Sequence, residues 1–149
     1  MRIQLPFGHE FSDRYTEYGE GLSPGIEVMD LPDGTESLAL VLENISFGED
    51  NPKVYWLVWN IPPVESIPEN ISHGGNVEKL DGAVQGNNSF DVLGYTAPGR
   101  YRGRQDFRLT VYALDTRLSL SSGAEIGRLK EGMKHHVLDK VAVRKGVVY

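Results

Sequence analysis

The run Tyr55-Trp56-Leu57-Val58-Trp59-Asn60-Ile61 constrains this chain more than any other stretch. It gathers aromatic and β-branched side chains into one short segment and ends at Pro62-Pro63, residues with no N–H to give to a sheet. That pattern reads as a buried central strand. A second apolar run, Leu38-Ala39-Leu40-Val41-Leu42, lies just upstream and is expected to pair with the first or pack beside it. The intervening Glu43–Val54 is polar and turn-rich. Such a connection is expected to be a loop, and loops held by a rigid β scaffold are where sites concentrate.

Strand signals recur along the rest of the chain. Ile3–Leu5 and Ile26–Val28 read as short strands, and Asp30–Thr35 as a turn in which proline presets φ and glycine accepts a positive one. Val77–Leu80 reads as a short strand or helical turn, and Phe90–Tyr95 as extended chain. In Phe107–Leu114 the alternation sends Phe107, Leu109, Val111 and Ala113 to one face. Lys140–Val148 alternates as a last strand. One helix is predicted, capped by Ser121 or Ser122, with Ile126, Leu129 and Met133 as its apolar stripe. Gly127 and Gly132 weaken it by roughly 1 kcal/mol each relative to alanine, so packing must hold it. Internal repeats and linkers are absent. The reading is a single all-β domain over residues 1–149, an antiparallel β-sandwich with one or two peripheral helices.

Charge and composition exclude several functions. A net charge of -6 opposes generic nucleic-acid binding, which needs a basic face. The chain has no cysteine, so thiol chemistry and thiolate zinc sites are excluded. No segment approaches the ~20 apolar residues of a membrane helix and no leader pattern opens the chain, so the expectation is a cytoplasmic protein without membrane insertion. A Walker loop and His-Glu-x-x-His are both absent. Neither enzymatic activity nor a cofactor is therefore expected. His135 and His136 are adjacent and would not share a helix face, which makes a poor metal pair. His9, Glu10 and Asp13 are too loosely spaced to define a metal site. Trp56 and Trp59 have opposite parity and should face opposite sides of their strand. One is expected in the core, the other at a pocket wall or a subunit surface.

Several segments, in order, resemble the phosphatidylethanolamine-binding protein family, which includes the Raf kinase inhibitor proteins and small bacterial and archaeal relatives. They are Gly21-Leu22-Ser23-Pro24, then Leu31-Pro32-Asp33-Gly34-Thr35-Glu36-Ser37-Leu38-Ala39-Leu40, then the strand Tyr55–Ile61 with Pro62-Pro63. Gln85-Gly86-Asn87-Asn88-Ser89-Phe90 with Gly94-Tyr95, Thr110–Asp115, and His136-Val137-Leu138 complete the set. The last of these resembles the end of the family's C-terminal helix. The resemblance implies a β-sandwich with a small cavity for anions such as phosphate or phosphorylated head groups. It also implies binding or inhibitory roles toward kinases or proteases rather than catalysis.

The family's cavity is built from an aspartate and two histidines, and by alignment these positions hold Asn44, Tyr55 and Gln105. Three ionisable groups are thus replaced by three that are neutral at physiological pH, which offer hydrogen bonds but no charge for a dianion. The pocket is expected to survive as a neutral polar cleft or to be filled by Tyr55. Charge could return from Arg100, Arg102 and Arg104, which alternate ahead of Gln105 and could clamp an anion. The alternative for these arginines is a solvated strand edge. The leading expectation is a module for a small polar or anionic ligand, or for a protein partner. The rivals are an inhibitor acting by surface contacts with a vestigial pocket, and a hydrolase with an unrecognised site. A homodimer is compatible with either binding role.

Overall fold

The computed structural model describes residues 1–99 and 103–148. The two apolar runs become adjacent antiparallel strands, β3 (Ser37–Asn44) and β4 (Lys53–Ile61), at the centre of a five-stranded sheet. On one side β3 is flanked by β7 (Arg104–Leu114), and β7 by β8 (Val137–Val148). On the other, the short β6 (Val84–Gln85) borders β4, for the order β6-β4-β3-β7-β8. The second sheet is small. Its strands are β1 (Arg2–Gln4), β2 (Ile26–Met29) and β5 (Ser66–Ile67), with β2 in the middle. Among the described residues this is a sandwich of antiparallel sheets with one α-helix, α1 (Ile126–Met133), and one 3-10 turn over Asp13–Tyr15.

Every residue of β3 is buried because both faces of the large sheet are covered. One face packs against the small sheet through Leu38, Leu40, Leu42, Val58 and Phe107, facing Ile26, Val28 and Ile67. On the other face Ala39, Val41, Leu57 and Trp59 meet Leu129 and Met133 of α1. Both tryptophans are completely buried, on opposite faces as their parity requires. Neither indole reaches a surface, since α1 roofs the second face, while Trp56 lines a small apolar cavity with Leu42 and Phe107.

The helix forms where its stripe predicts, but Glu125 occupies its N-cap position and makes no side-chain cap bond. Ser121 and Ser122 belong to the preceding turn, closed by the Ala124 N–H donating to the Ser121 carbonyl. Leu129 and Met133 are buried while Lys130 is exposed. The helix is accordingly held by packing rather than capping. It stops at Met133: Lys134 is extended (ψ 130°) and His135 adopts φ 70°. Val137-Leu138 thus opens β8 and does not close a helix as the resemblance implied. Val77–Leu80 is a single turn, with the Leu80 N–H donating to Val77 O at 3.3 Å. Phe90–Tyr95 joins no sheet; one bridge, Asn87 with Leu93, touches it.

Gly86 marks the closest approach between the β6 loop and the core. A Cβ there would lie 2.5 Å from Ala124 O and 2.7 Å from both Leu57 Cγ and Trp59 Cζ3. Gly86→Ala is expected to cost about 1–3 kcal/mol, the usual range for overpacking a filled site, measured as a lower urea midpoint with unchanged slope.

Candidate functional site

The end of the large sheet where β3 leaves for β4 gathers the predicted site residues. Asn44 stands opposite Phe107 of β7, and Gln105 lies two residues earlier on the same strand, hence on the same face. Both side chains are buried, and the Asn44 Nδ2 donates to the Gln105 Oε1 at 2.7 Å. The Asn44 Oδ1 accepts the Ser46 N–H at 2.9 Å, which fixes the start of the loop. Among the described residues the buried Gln105 Nε2 has no acceptor. An unmet buried donor costs about 1–3 kcal/mol.

Tyr55 reaches the same face through an irregularity that parity does not show. Leu42 pairs with Trp56 and Glu43 with Val54, so Tyr55 is the extra residue of a β-bulge. The bulge turns neighbouring Tyr55 and Trp56 toward the same core. The Tyr55 ring is buried edge-on between Phe90 and Phe107, with centroids 4.8 and 4.9 Å away. Asn44, Tyr55 and Gln105 therefore share one face of one end of the sheet.

The wall beside Tyr55 is organised by two residues that entered the sequence reading only as part of a motif. Asn88 is buried, and its Nδ2 lies 3.1 Å from Tyr55 O, 3.0 Å from Gly94 O and 2.8 Å from Thr96 Oγ1. Its Oδ1 accepts the Phe90 and Val92 N–H groups. Gln85, fully buried, accepts the Trp56 Nε1–H at 2.8 Å and donates to Ser72 O and Gly74 O, each at 2.9 Å. A polar residue inside an apolar environment is the only signal that could have marked them. In sequence, each sits among small and polar neighbours, where burial leaves no trace.

The arginines divide differently. Arg104 alternates with Gln105 and so leaves the opposite face of β7. Its guanidinium is exposed and bonds Asp106 at 3.0 Å, with Glu10 at 4.0 Å. Arg104 pairs with Val148 of β8 but lies beyond the end of β3, so its other side borders no strand. Arg100 and Arg102 lie outside the described residues. Glu49, in the β3–β4 loop, meets Arg108 and Arg144. Arg108 also bonds Glu43 at 3.2 Å, whose buried Oε2 has no partner among the described residues. Nearby Tyr112 has its phenol pKa raised, first by burial and then by Glu43. His73 is exposed and its Nε2 meets Tyr95 O at 2.8 Å. His136 bonds Asp115 through Nδ1 at 2.8 Å. Among the described residues no cluster of three or more acidic, histidine or cysteine side chains could hold a metal, and no helix is long and apolar enough to cross a membrane.

The sequence profile described as phosphatidylethanolamine-binding protein matches residues 3–145. A UPF0098 protein of Pyrococcus horikoshii is 36% identical over 145 residues, covering 93% of this chain and 71% of that one. Another, from Methanothermobacter thermautotrophicus, is 36% identical over 140 residues, covering 87% and 89%. The crystal structure of a phosphatidylethanolamine-binding protein homologue from Chlamydia trachomatis superposes with TM-score 0.81 at 27% identity, covering 97% of this chain and 95% of that one. Escherichia coli YbcL shares the fold, with TM-score 0.83 at 19% identity over 99% and 98% of the two chains.

Proposed function

We propose, for a chain that belongs to the phosphatidylethanolamine-binding protein family, a non-enzymatic binding module whose inherited anion site has become neutral. The observation that carries this reading is the amide pair. Asn44 donates to Gln105 at 2.7 Å in a buried setting, while the Tyr55 ring fills the adjoining space between Phe90 and Phe107. What remains for a ligand is the Gln105 Nε2–H, a donor that suits a carbonyl or hydroxyl oxygen. Without a compensating cation, placing a dianion there would cost more desolvation than one neutral hydrogen bond returns. The ligand class is thus a small neutral polar molecule.

The test compares the natural protein with Tyr55→His/Gln105→His, titrated with phosphate and read at the Asn44 side-chain amide by NMR. The natural protein is expected to show no shift there. The double variant should respond, and its melting midpoint should rise by mass action. A phosphate-induced shift of the Asn44 amide in the natural protein would overturn the neutral-site reading.

A second reading rests on Phe47, which is 73% exposed in the β3–β4 loop. A lone projecting aromatic is suited to anchor a protein partner. On this reading the module acts as an inhibitor by surface contact. Phe47→Ser should then abolish partner binding while the Tyr55 and Gln105 changes leave it intact.

A further inference from the structure

At the opposite end of the large sheet lies a second cleft. Along the eight residues of β3 this is about 20 Å from Asn44, at roughly 3.3 Å per residue. One wall is the loop that leaves β7, Thr116–Leu120, and the other is α1 with the residues that follow it. The cleft is an open groove of about 470 Å³, within the range of small-molecule sites. Its loop wall is held from the core. Asn60, at the second bulge of β4 with φ 55°, donates to Leu118 O at 2.9 Å and accepts the Leu118 N–H at 2.7 Å. Trp59 adds a bond to Leu120 O at 3.0 Å, and Ser37 bonds Thr116 O at 2.6 Å.

Arg117 and Arg128 both line this cleft, Arg117 from the loop wall and Arg128 from the helix. Acidic residues outnumber basic ones in the chain, and the described arginines almost all lie against carboxylates. Among the described residues, Arg117 and Arg128 are the exceptions. The Arg117 Nη2 lies against the carbonyls of Asn60 (3.3 Å) and Asp81 (3.5 Å). Those contacts orient the guanidinium over Gly82 without neutralising it. One carboxylate, Glu131, lines the same cleft, and His136 is tied to Asp115.

We infer that this cleft binds a small dicarboxylate, one carboxylate for each guanidinium. Two forks on opposing walls match two separated planar anions, since guanidinium and carboxylate pair bidentately. The volume exceeds what a single oxyanion would occupy. The site is separate from Asn44, Tyr55 and Gln105, so either assignment can fail without the other.

The test titrates the natural protein with glutarate, succinate and acetate by calorimetry, with backbone-amide NMR locating the response. A dicarboxylate is expected to bind at about 1 mM or tighter, and acetate at least about tenfold more weakly. Shifts should centre on residues 116–120 and 128–132. Arg128→Gln, an exposed helix position that folding does not need, should weaken dicarboxylate binding about tenfold or more. Arg117→Lys should weaken it too by removing the fork while keeping the charge. Arg144→Gln, whose guanidinium meets Glu49, should leave it unchanged. Equal binding of acetate, shifts elsewhere, no binding, or indifference to Arg128→Gln would each overturn the assignment.

Discussion

Gln85→Leu is expected to destabilise the protein by roughly 2–6 kcal/mol: about 1–3 kcal/mol for the buried Trp56 Nε1–H left without an acceptor, and about 0.5–1.5 kcal/mol for each of the two part-buried hydrogen bonds lost at Ser72 O and Gly74 O. Leucine fills most of the volume, so the loss would be electrostatic rather than a cavity. The Trp56 Nε1–H, Ser72 O and Gly74 O all depend on this one amide. Trp56 has no exposed surface and cannot turn its N–H to water. Domains are stable by only about 5–15 kcal/mol, so the variant should sit near its folding threshold. Urea unfolding followed by tryptophan fluorescence measures the effect. Gln85→Glu keeps the acceptor for Trp56 but loses both donors, and it should separate the two halves of the network. A loss below about 1 kcal/mol in the leucine variant would mean that the loop relaxes to recruit water.

Asn88→Asp should be nearly as damaging at neutral pH, about 3–5 kcal/mol, since a carboxylate would replace a donor facing backbone carbonyls. The Asn88 Nδ2 points at Tyr55 O, Gly94 O and Thr96 Oγ1, and only the hydroxyl can reverse its role. The new carboxyl would have its pKa raised in the folded state above the unfolded value near 3.9. The sign follows. Below about pH 3.9 the group is protonated in both states and this pH-dependent penalty is absent. As pH climbs toward the raised folded pKa, the unfolded chain releases its proton first and stability falls by about 1.4 kcal/mol per pH unit. The gap between variant and natural protein should therefore widen from pH 4.5 to pH 7 in paired urea titrations. A gap independent of pH would show that Thr96 and solvent screen the carboxylate. Because Asn88 holds the Tyr55 carbonyl and the Phe90 and Val92 N–H groups, the same variant should also broaden NMR signals beside Tyr55.

The sequence alone determined the central pair of strands, the alternation of β7, the helical stripe and the opposition of Trp56 and Trp59. Each depends on periodicity, which the backbone imposes wherever apolar residues recur at 2 or 3.6. The family resemblance also singled out Asn44, Tyr55 and Gln105, and the structure brings the three to one end of the large sheet, Tyr55 through a bulge that parity does not show. Only the tertiary structure decided the rest. The bulge at Tyr55 arises from a mismatch between β3 and β4, and a pairing defect belongs to two strands at once. The burial of Trp59 depends on α1 crossing the second face, and the interior roles of Gln85 and Asn88 depend on loops closing over them. Arg117 and Arg128 are eleven residues apart in the chain with no shared motif. Their places on one cleft come from a loop pinned by Asn60 and a helix seated on Trp59, contacts between segments that no local pattern encodes.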